Sequence, residues 1–213
     1  MKKLKVAIKG QGRSGRDIHG AFFKSAANEC YNVVAVVDAL AERRERAANE
    51  YGCDVYGDYR ELFMRDDLDL VVNSTFSYQH APISIDLLEH GLNVVCEKPM
   101  TTTVEEAAKL RAFAEEKGLI NAMNFNCRFY PMAYRMRQMV RSGEAGGIYT
   151  VHGGYLQDWL YYDTDYSWRL EPEASGESRA FADIGSHWID LVEFITGLRV
   201  RGPGGLRDLP QDP

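Results

Sequence analysis

Short apolar runs alternate with segments whose apolar residues recur every three or four positions, and this rhythm persists through residues 1–125. Val6, Ala7 and Ile8 predict a strand, and Ile18, Ala21, Phe22 and Ala26 predict a helix over 16–27. A β-branched run predicts a second strand over 31–37, followed by a charged helix over 40–51 that Gly52 stops. Val55 and Tyr56 make a weak third strand, and Asp58 can cap a short helix ending near Met64. A fully apolar strand over 68–72 leads to a helix over 81–90, and a fifth strand covers 92–96. Thr103 and Glu106 form a capping box at the head of a helix over 104–117, and a sixth strand covers 119–125.

Strands that alternate with helices in this way imply a parallel sheet covered on both faces, with ligands at the carboxyl ends of the strands. Beyond Asn126 the rhythm changes. A basic helix is expected over 130–142, then a glycine-rich turn, then an alternating strand over 148–159 that would belong to a different sheet. Residues 161–177 are aromatic and acidic without periodicity and read as loop, and a helix over 182–195 ends at Gly197. A domain boundary is therefore expected near residue 125, giving domains 1–125 and 126–213. Residues 201–213 show no strand periodicity.

Composition narrows the class without changing that picture. The 213 residues are 45% hydrophobic and 26% charged, as in ordinary globular proteins. A net charge of −6 argues against a nucleic-acid or anionic-membrane binder. No apolar run approaches the ~20 residues that span a bilayer. The apolar start is too short for a signal-peptide core. Cys30, Cys53, Cys96 and Cys127 lie far apart, so neither a metal site nor a disulfide framework is expected, and a cytoplasmic location is.

Four stretches carry candidate chemistry. Gly10, Gly12 and Gly15 follow the first strand with the Gly-x-Gly-x-x-Gly spacing of a dinucleotide loop. Those glycines allow the tight turn, the approach of a pyrophosphate and close helix–strand packing, and the helix start offers free N–H groups to phosphate. Asp38 ends the second strand roughly 20 residues after the loop, where a carboxylate bonds an adenosine ribose. It favours NAD over NADP, although Arg43 and Arg44 stand near. Lys98 follows the fifth strand and precedes Pro99, a place from which an ammonium can polarise a substrate hydroxyl. Asp183 and His187 are one helical turn apart, with Asp190 beyond them, an arrangement suited to general acid–base work. Trp168 and Arg169 lie among Tyr155, Trp159, Tyr161, Tyr162 and Tyr166, a mixture that suits sugar binding or a wet interface equally. Each feature also has a plain structural reading: a strand-end acid, a surface lysine, a capped helix with a satisfied histidine. Spacing alone does not choose between them.

Together these stretches resemble the glucose–fructose oxidoreductase/inositol dehydrogenase/MocA (Gfo/Idh/MocA) family. The likeness runs from the glycine loop through Thr75-Phe76-Ser77-Tyr78-Gln79-His80 and Glu97-Lys98-Pro99. It continues through Asn126-Cys127-Arg128-Phe129-Tyr130-Pro131 and Gly143-Glu144-Ala145-Gly146 to Asp183-Ile184-Gly185-Ser186-His187. The resemblance implies an α/β fold: an NAD-binding Rossmann domain, then the start of an α+β domain on a mostly antiparallel open sheet. It implies hydride transfer between a nicotinamide and a sugar, inositol-like polyol or related carbinol, in a homo-oligomer (dimer or tetramer) of the full-length form. Carried over by motif, Lys98 orients the hydroxyl, His187 is the general base and Asp183 positions the substrate. Gly10, Gly12, Arg13, Ser14, Gly15, Asp38, Ala39, Arg43, Ser74, Thr75, Phe76, His80, Glu97, Lys98 and Asn126 would meet the cofactor. Lys98, Arg128, Tyr155, Trp168, Arg169, Asp183 and His187 would meet the substrate. Phe76-Ser77 replaces a common Pro-Asn, and Glu177-Ser178-Arg179 replaces part of a glycine run. Family members continue well past the Asp-His helix, so a truncated chain is expected, able to bind NAD but with weak or absent turnover. The alternative is a catalytically silent NAD-binding regulator or remnant.

Overall fold

In a computed structural model, residues 2–200 and 206–207 are described, the last two without their side chains. Two units make up the chain: Met1–Asn124 with Glu173–Glu177, and Phe125–Pro172 with the described residues from Ser178 on.

In the first unit, β1 (Leu4–Lys9), β2 (Tyr31–Val37), β3 (Asp54–Tyr56), β4 (Leu70–Asn73), β5 (Val94–Cys96) and β6 (Asn121–Met123) form one sheet. The order is β3-β2-β1-β4-β5-β6, and every pairing is parallel. This is the doubly wound dinucleotide-binding order, with the chain reversing direction across the sheet beside β1. Val6, Ala7 and Ile8 are all 0% exposed, so β1 is buried on both faces and its continuous apolar run is explained. Ala7, Ala35, Val37, Val71, Val94 and Cys96 face one layer, which α3 (Ser77–Glu89) and α4 (Val104–Lys117) fill with Leu87, Leu88 and Leu110. Ile8, Val33 and Val36 face the other layer with Ala47 of α2 (Ala41–Tyr51). Strict alternation would put Val33 with Ala35. Instead Val6 lies opposite Val33 and Ala7 opposite Ala35, so Val34 is skipped and the facing switches at that point.

Capping follows the residues. Thr103 Oγ1 accepts from Glu106 N at 3.2 Å while Glu106 Oε2 accepts from Thr103 N at 3.3 Å, and α4 ends at Gly118. Several boundaries differ from expectation. The helix expected over 16–27 begins at Arg13 as a π-wound turn, Arg13–Gly20, and finishes as α1 (Ala21–Lys24). The helix expected over 81–90 starts at Ser77, so Pro82 sits inside it.

The second unit contains α5 (Pro131–Arg141), a 3-10 turn at Trp168–Leu170, a π turn at Phe181–Gly185 and α7 (Ser186–Thr196). The loop expected over 161–177 also holds a four-residue helix, α6 (Pro172–Ser175), most of which belongs to the first unit. The strand expected over 148–159 is not formed. No strand pairs with that segment among the described residues, and an isolated strand leaves its main-chain groups unpaired. Among the described residues the mostly antiparallel sheet is accordingly represented only by β7 (Arg199–Val200) paired antiparallel with β8 (Leu206–Arg207). The pairing corrects the expectation that 206–207 lack strand character; the rest of the 201–213 tail lies outside the described residues.

Candidate functional site

The glycine loop closes on the carboxyl ends of β1 and β4. Gly10 has φ +94°, and a Cβ there would meet Ser74 O at 2.7 Å. Its N–H donates to Val37 O at 2.8 Å. A Cβ on Gly15 would sit 1.8 Å from Gly10 O, so helix and loop touch through main chain. Gly12 differs: its backbone is extended, and the nearest atom to an added Cβ is Arg43 Nη1 at 3.9 Å. That open approach, at the start of the Arg13–Gly20 turn, is the cradle a pyrophosphate needs. Ser74 Oγ is 2.9 Å from Lys9 O and 3.0 Å from Gly10 O, bracing the loop from β4.

Asp38 is 5% exposed. Its Oδ2 accepts from Gln11 N at 2.7 Å and its Oδ1 from Leu40 N at 2.9 Å. A carboxylate has about four acceptor positions, so two remain for ribose hydroxyls. Arg43 Nη1 lies 3.6 Å from Asp38 Oδ2, and Arg44 donates to the Asp38 and Ala39 carbonyls at 2.8 Å each. The residues present therefore fit an unphosphorylated dinucleotide. Arg13 and Ala39 are exposed and Ser14 half-buried beside them.

The Lys98 end is built differently. Asn73 is 0% exposed and donates to His80 O at 3.3 Å and Ser84 Oγ at 3.2 Å, while Thr75 Oγ1 donates to Asn73 Oδ1 at 2.8 Å. His80, 1% exposed, places Nδ1 2.6 Å from Pro99 O and Nε2 3.1 Å from Thr75 O. Burial pushes its pKa down, against the pull of those two carbonyls and of Glu97. Both ring nitrogens are thus engaged by main chain, and His80 ties the segment after Lys98, at Pro99, to the segment after β4, at Thr75. The Lys98–Pro99 peptide is cis. Phe76 is 44% exposed and stacks on Tyr78 with centroids 6.1 Å apart. Glu97 accepts on Oε1 from His19 Nε2 and Asn124 Nδ2, both at 2.8 Å.

In the second unit His187, at the second position of α7, is 8% exposed. Its Nδ1 is 3.6 Å from Cys127 Sγ, and its ring stacks with Tyr155 at 6.0 Å and meets the edge of Phe125 at 5.7 Å. Asp183 stands in the π turn and accepts from Arg169 Nε at 3.2 Å. The Arg169 guanidinium lies over Trp168 at 4.6 Å and Trp159 at 5.7 Å. Tyr155, Trp159, Arg169 and Asp183 line one cavity of about 690 Å³. Arg128 is placed elsewhere: its Nε donates to both Asp190 oxygens, at 3.0 and 2.7 Å, and its Nη2 also donates to Oδ1. Asp190, 8% exposed, therefore neutralises Arg128 instead of extending the Asp183 side. Asn126 is half-buried next to Cys127, whose thiol lies 3.9 Å from its Oδ1.

His19 and Asn124 lie outside every quoted motif, and Cys127 lies inside the motif over 126–131 without a role assigned to it. His19 falls one turn beyond Gly15, a helical spacing that could have singled it out; Asn124 carries no comparable signal. Among the described residues no cluster of His, Cys, Asp and Glu could hold a metal, and no helix is long and apolar enough to cross a membrane.

Comparison with known proteins agrees with this architecture. Residues 4–125 match the model of the oxidoreductase family with an NAD-binding Rossmann fold, and residues 134–202 match a Gfo/Idh/MocA C-terminal domain. Levoglucosan dehydrogenase of Pseudarthrobacter phenanthrenivorans is 30% identical over 164 residues, covering 76% of this chain and 42% of that protein. An oxidoreductase domain protein from Kribbella flavida superposes with a TM-score of 0.86 at 34% identity, over 93% of this chain and 54% of that one. A levoglucosan dehydrogenase solved with NADH and levoglucosan gives a TM-score of 0.81 at 28% identity, over 92% of this chain and 55% of that one. The chain spans about half the length of the curated relatives it matches. The parallel sheet is thus an NAD-binding Rossmann domain, and the chain belongs to the Gfo/Idh/MocA oxidoreductase family.

Proposed function

We propose that this chain carries the NAD-binding site and the reacting residues of an oxidoreductase that acts on a secondary hydroxyl of a sugar or polyol. The observation that carries the reading is the 690 Å³ cavity in which aromatic Tyr155 and Trp159 meet the Arg169–Asp183 ion pair. Ring faces bury the C–H surface of a sugar while the charged pair bonds its hydroxyls. The nicotinamide, when bound, supplies the two-electron acceptor. The chain's own residues handle the proton and the charge. His187 takes the hydroxyl proton on Nε2; its Nδ1, 3.6 Å from Cys127 Sγ, is held on the far side of the ring. Lys98, just past the end of β5, is the residue that orients and polarises the reacting hydroxyl. Asp183 holds a neighbouring hydroxyl, its carboxylate kept in place by Arg169.

Asp38 supports NAD over NADP because its buried carboxylate would repel a 2′-phosphate. Cys30, Cys53, Cys96 and Cys127 are scattered and joined by no disulfide, which supports a cytoplasmic setting. A homo-oligomer is supported by an apolar groove of about 430 Å³ lined by Met136, Met139, Trp188, Leu191 and Ile195.

Calorimetric titration with NAD+ and with NADP+, followed by a sugar and polyol panel read by NADH absorbance, tests the proposal. NAD+ binding with substrate-dependent NADH release, abolished in Lys98→Met and in His187→Ala, is the expected result. NADH release that survives both substitutions refutes the assigned roles.

A further inference from the structure

Two side chains of the first unit converge on one carboxylate oxygen of Glu97, beside Lys98. His19 comes from the π-wound turn that opens at the nucleotide loop, and its Nε2 lies 2.8 Å from Glu97 Oε1. Asn124, just past β6, donates to the same oxygen at 2.8 Å. The side chains of His19 and Glu97 are 11% and 10% exposed. Main-chain bonds hold the neighbouring atoms. Glu97 N donates to Asn73 O at 2.9 Å, Asn124 N donates to Cys96 O at 2.9 Å, and Pro99 O lies 2.6 Å from His80 Nδ1. The residues before and after Lys98 are therefore both clamped, and the clamp on Glu97 reaches across to the helix that would hold the pyrophosphate.

We propose that His19 is a positioning residue: through Glu97 it ties the pyrophosphate-binding helix to the strand end that carries Lys98. The inference rests on the reading of Lys98 given above. Its chemistry is a charge-assisted hydrogen bond, which Nε2–H supplies whether the ring is neutral or cationic. Burial pushes the Glu97 carboxyl up, but the bond and charge of His19, the bond from Asn124 and the charge of Lys98 together hold it below its ordinary value. Two other titratable groups face it, His80 of α3 and the Cys96 thiol at the end of β5. Without His19, burial acts with less opposition and Glu97 takes up a proton at higher pH. The ionised strand end is then lost while the fold is kept.

NAD+ affinity measured by calorimetry across pH reports this without any turnover. In His19→Leu, affinity is expected to fall roughly 10-fold at neutral pH, with an acid limb displaced upward from that of the wild type. His19→Gln, which restores an N–H donor, recovers most of the neutral-pH affinity. Glu97→Gln binds weakly with a flattened acid limb. His19→Leu adds little to Lys98→Met in a double-mutant cycle, because both act on one strand end. Equal affinity and an unmoved acid limb in His19→Leu overturn the inference, as does full additivity with Lys98→Met. A uniform loss that His19→Gln does not recover also overturns it, because that is what a merely structural role produces. If His19→Leu does not fold, His19→Gln and Glu97→Gln decide by the same two readouts. Failure of the wild type to bind NAD+ refutes the cofactor reading itself, and fluorescence melting distinguishes that case from misfolding.

Discussion

Alanine should do opposite things at two glycines that stand three positions apart in the nucleotide loop. At Gly15 the new Cβ would lie 1.8 Å from Gly10 O and 2.6 Å from Ser74 Oγ. Ordinary contact begins at 3.4 Å, so loop and helix must part by roughly 1.6 Å, the difference from 1.8 Å. The obstructing oxygen is main chain and cannot rotate away. Overpacking of this kind costs about 3 kcal/mol, and at 2–4 °C per kcal/mol for a chain of this size the melting temperature drops by roughly 6–12 °C. At Gly12 the backbone is at φ −74°, ψ −163°, open to any residue, and the nearest atom to a Cβ is 3.9 Å away. Gly12→Ala should therefore melt within about 1 °C of the wild type. Its methyl group instead fills the approach to the phosphates, and losing one or two main-chain bonds to a charged group weakens NAD+ binding about 10- to 100-fold. Thermal melts and NAD+ calorimetry on both variants separate the two effects. A Gly15→Ala protein as stable as wild type, or a Gly12→Ala protein with undiminished affinity, would show that the loop does not work as described.

Asp38→Asn should weaken NAD+ roughly 10-fold and narrow the preference over NADP+, since Arg43, 3.6 Å from Oδ2, would be freed toward a 2′-phosphate; an unchanged ratio of the two affinities counts against that role. Asp190→Ala strips a buried carboxylate from an Arg128 that is 39% exposed. The expected loss is about 2 kcal/mol, less than for a fully buried pair, or roughly 4–8 °C in melting temperature. The double variant Arg128→Met/Asp190→Leu should recover much of it, and a melt that stays low would deny the ion pair its role. Asp67 is held down to about 2 by its bond to Arg65 and then by Lys5. A depressed carboxyl stabilises above its unfolded value, and that contribution disappears as pH falls through the folded one. The gap in stability between wild type and Asp67→Asn should thus be steady at neutral pH and close between about pH 4 and pH 2. Denaturant melts in which the gap persists at pH 2 contradict the assignment.

Much of the first unit was legible because burial on both faces leaves strands as unbroken apolar runs. Residues 31–37 and the Val6-Ala7-Ile8 run could hardly be anything else. The glycine loop and Asp38 were legible for a different reason: their function depends on main-chain geometry that few residues permit. Residues 148–159 misled, because alternation records which face a residue would prefer, not whether a neighbouring strand exists to satisfy the backbone. Contacts between distant positions left no trace in the pattern. His19 meets Glu97 across 78 positions, and Arg128 meets Asp190 across 62. Arg128 is a substrate ligand by its motif, and its pairing with Asp190 is a contact the motif does not announce. The π-wound turns at Arg13–Gly20 and Phe181–Gly185 were also invisible, since apolar spacing does not distinguish them from the first turn of an ordinary helix.

The residue skipped in β2 bears on how this gene can change. Tyr31 and Val33 pack toward the layer of Phe23 and Ile8, while Ala35 and Val37 pack toward the opposite layer, because Val34 has no counterpart on β1. A single-codon deletion at Val34 would leave composition, charge and every motif intact. It would also leave each side chain on its present face, because Val33 and Ala35, already opposite Val6 and Ala7, would become neighbours in a regular strand; a deletion at Val36 would instead either bury the wrong side chains before it or carry Asp38 away from Gln11 N. The skipped residue is thus slack in the strand: one residue can be lost there between Gly15 and Asp38 without moving the cofactor site, and the rest of β2 has no such allowance.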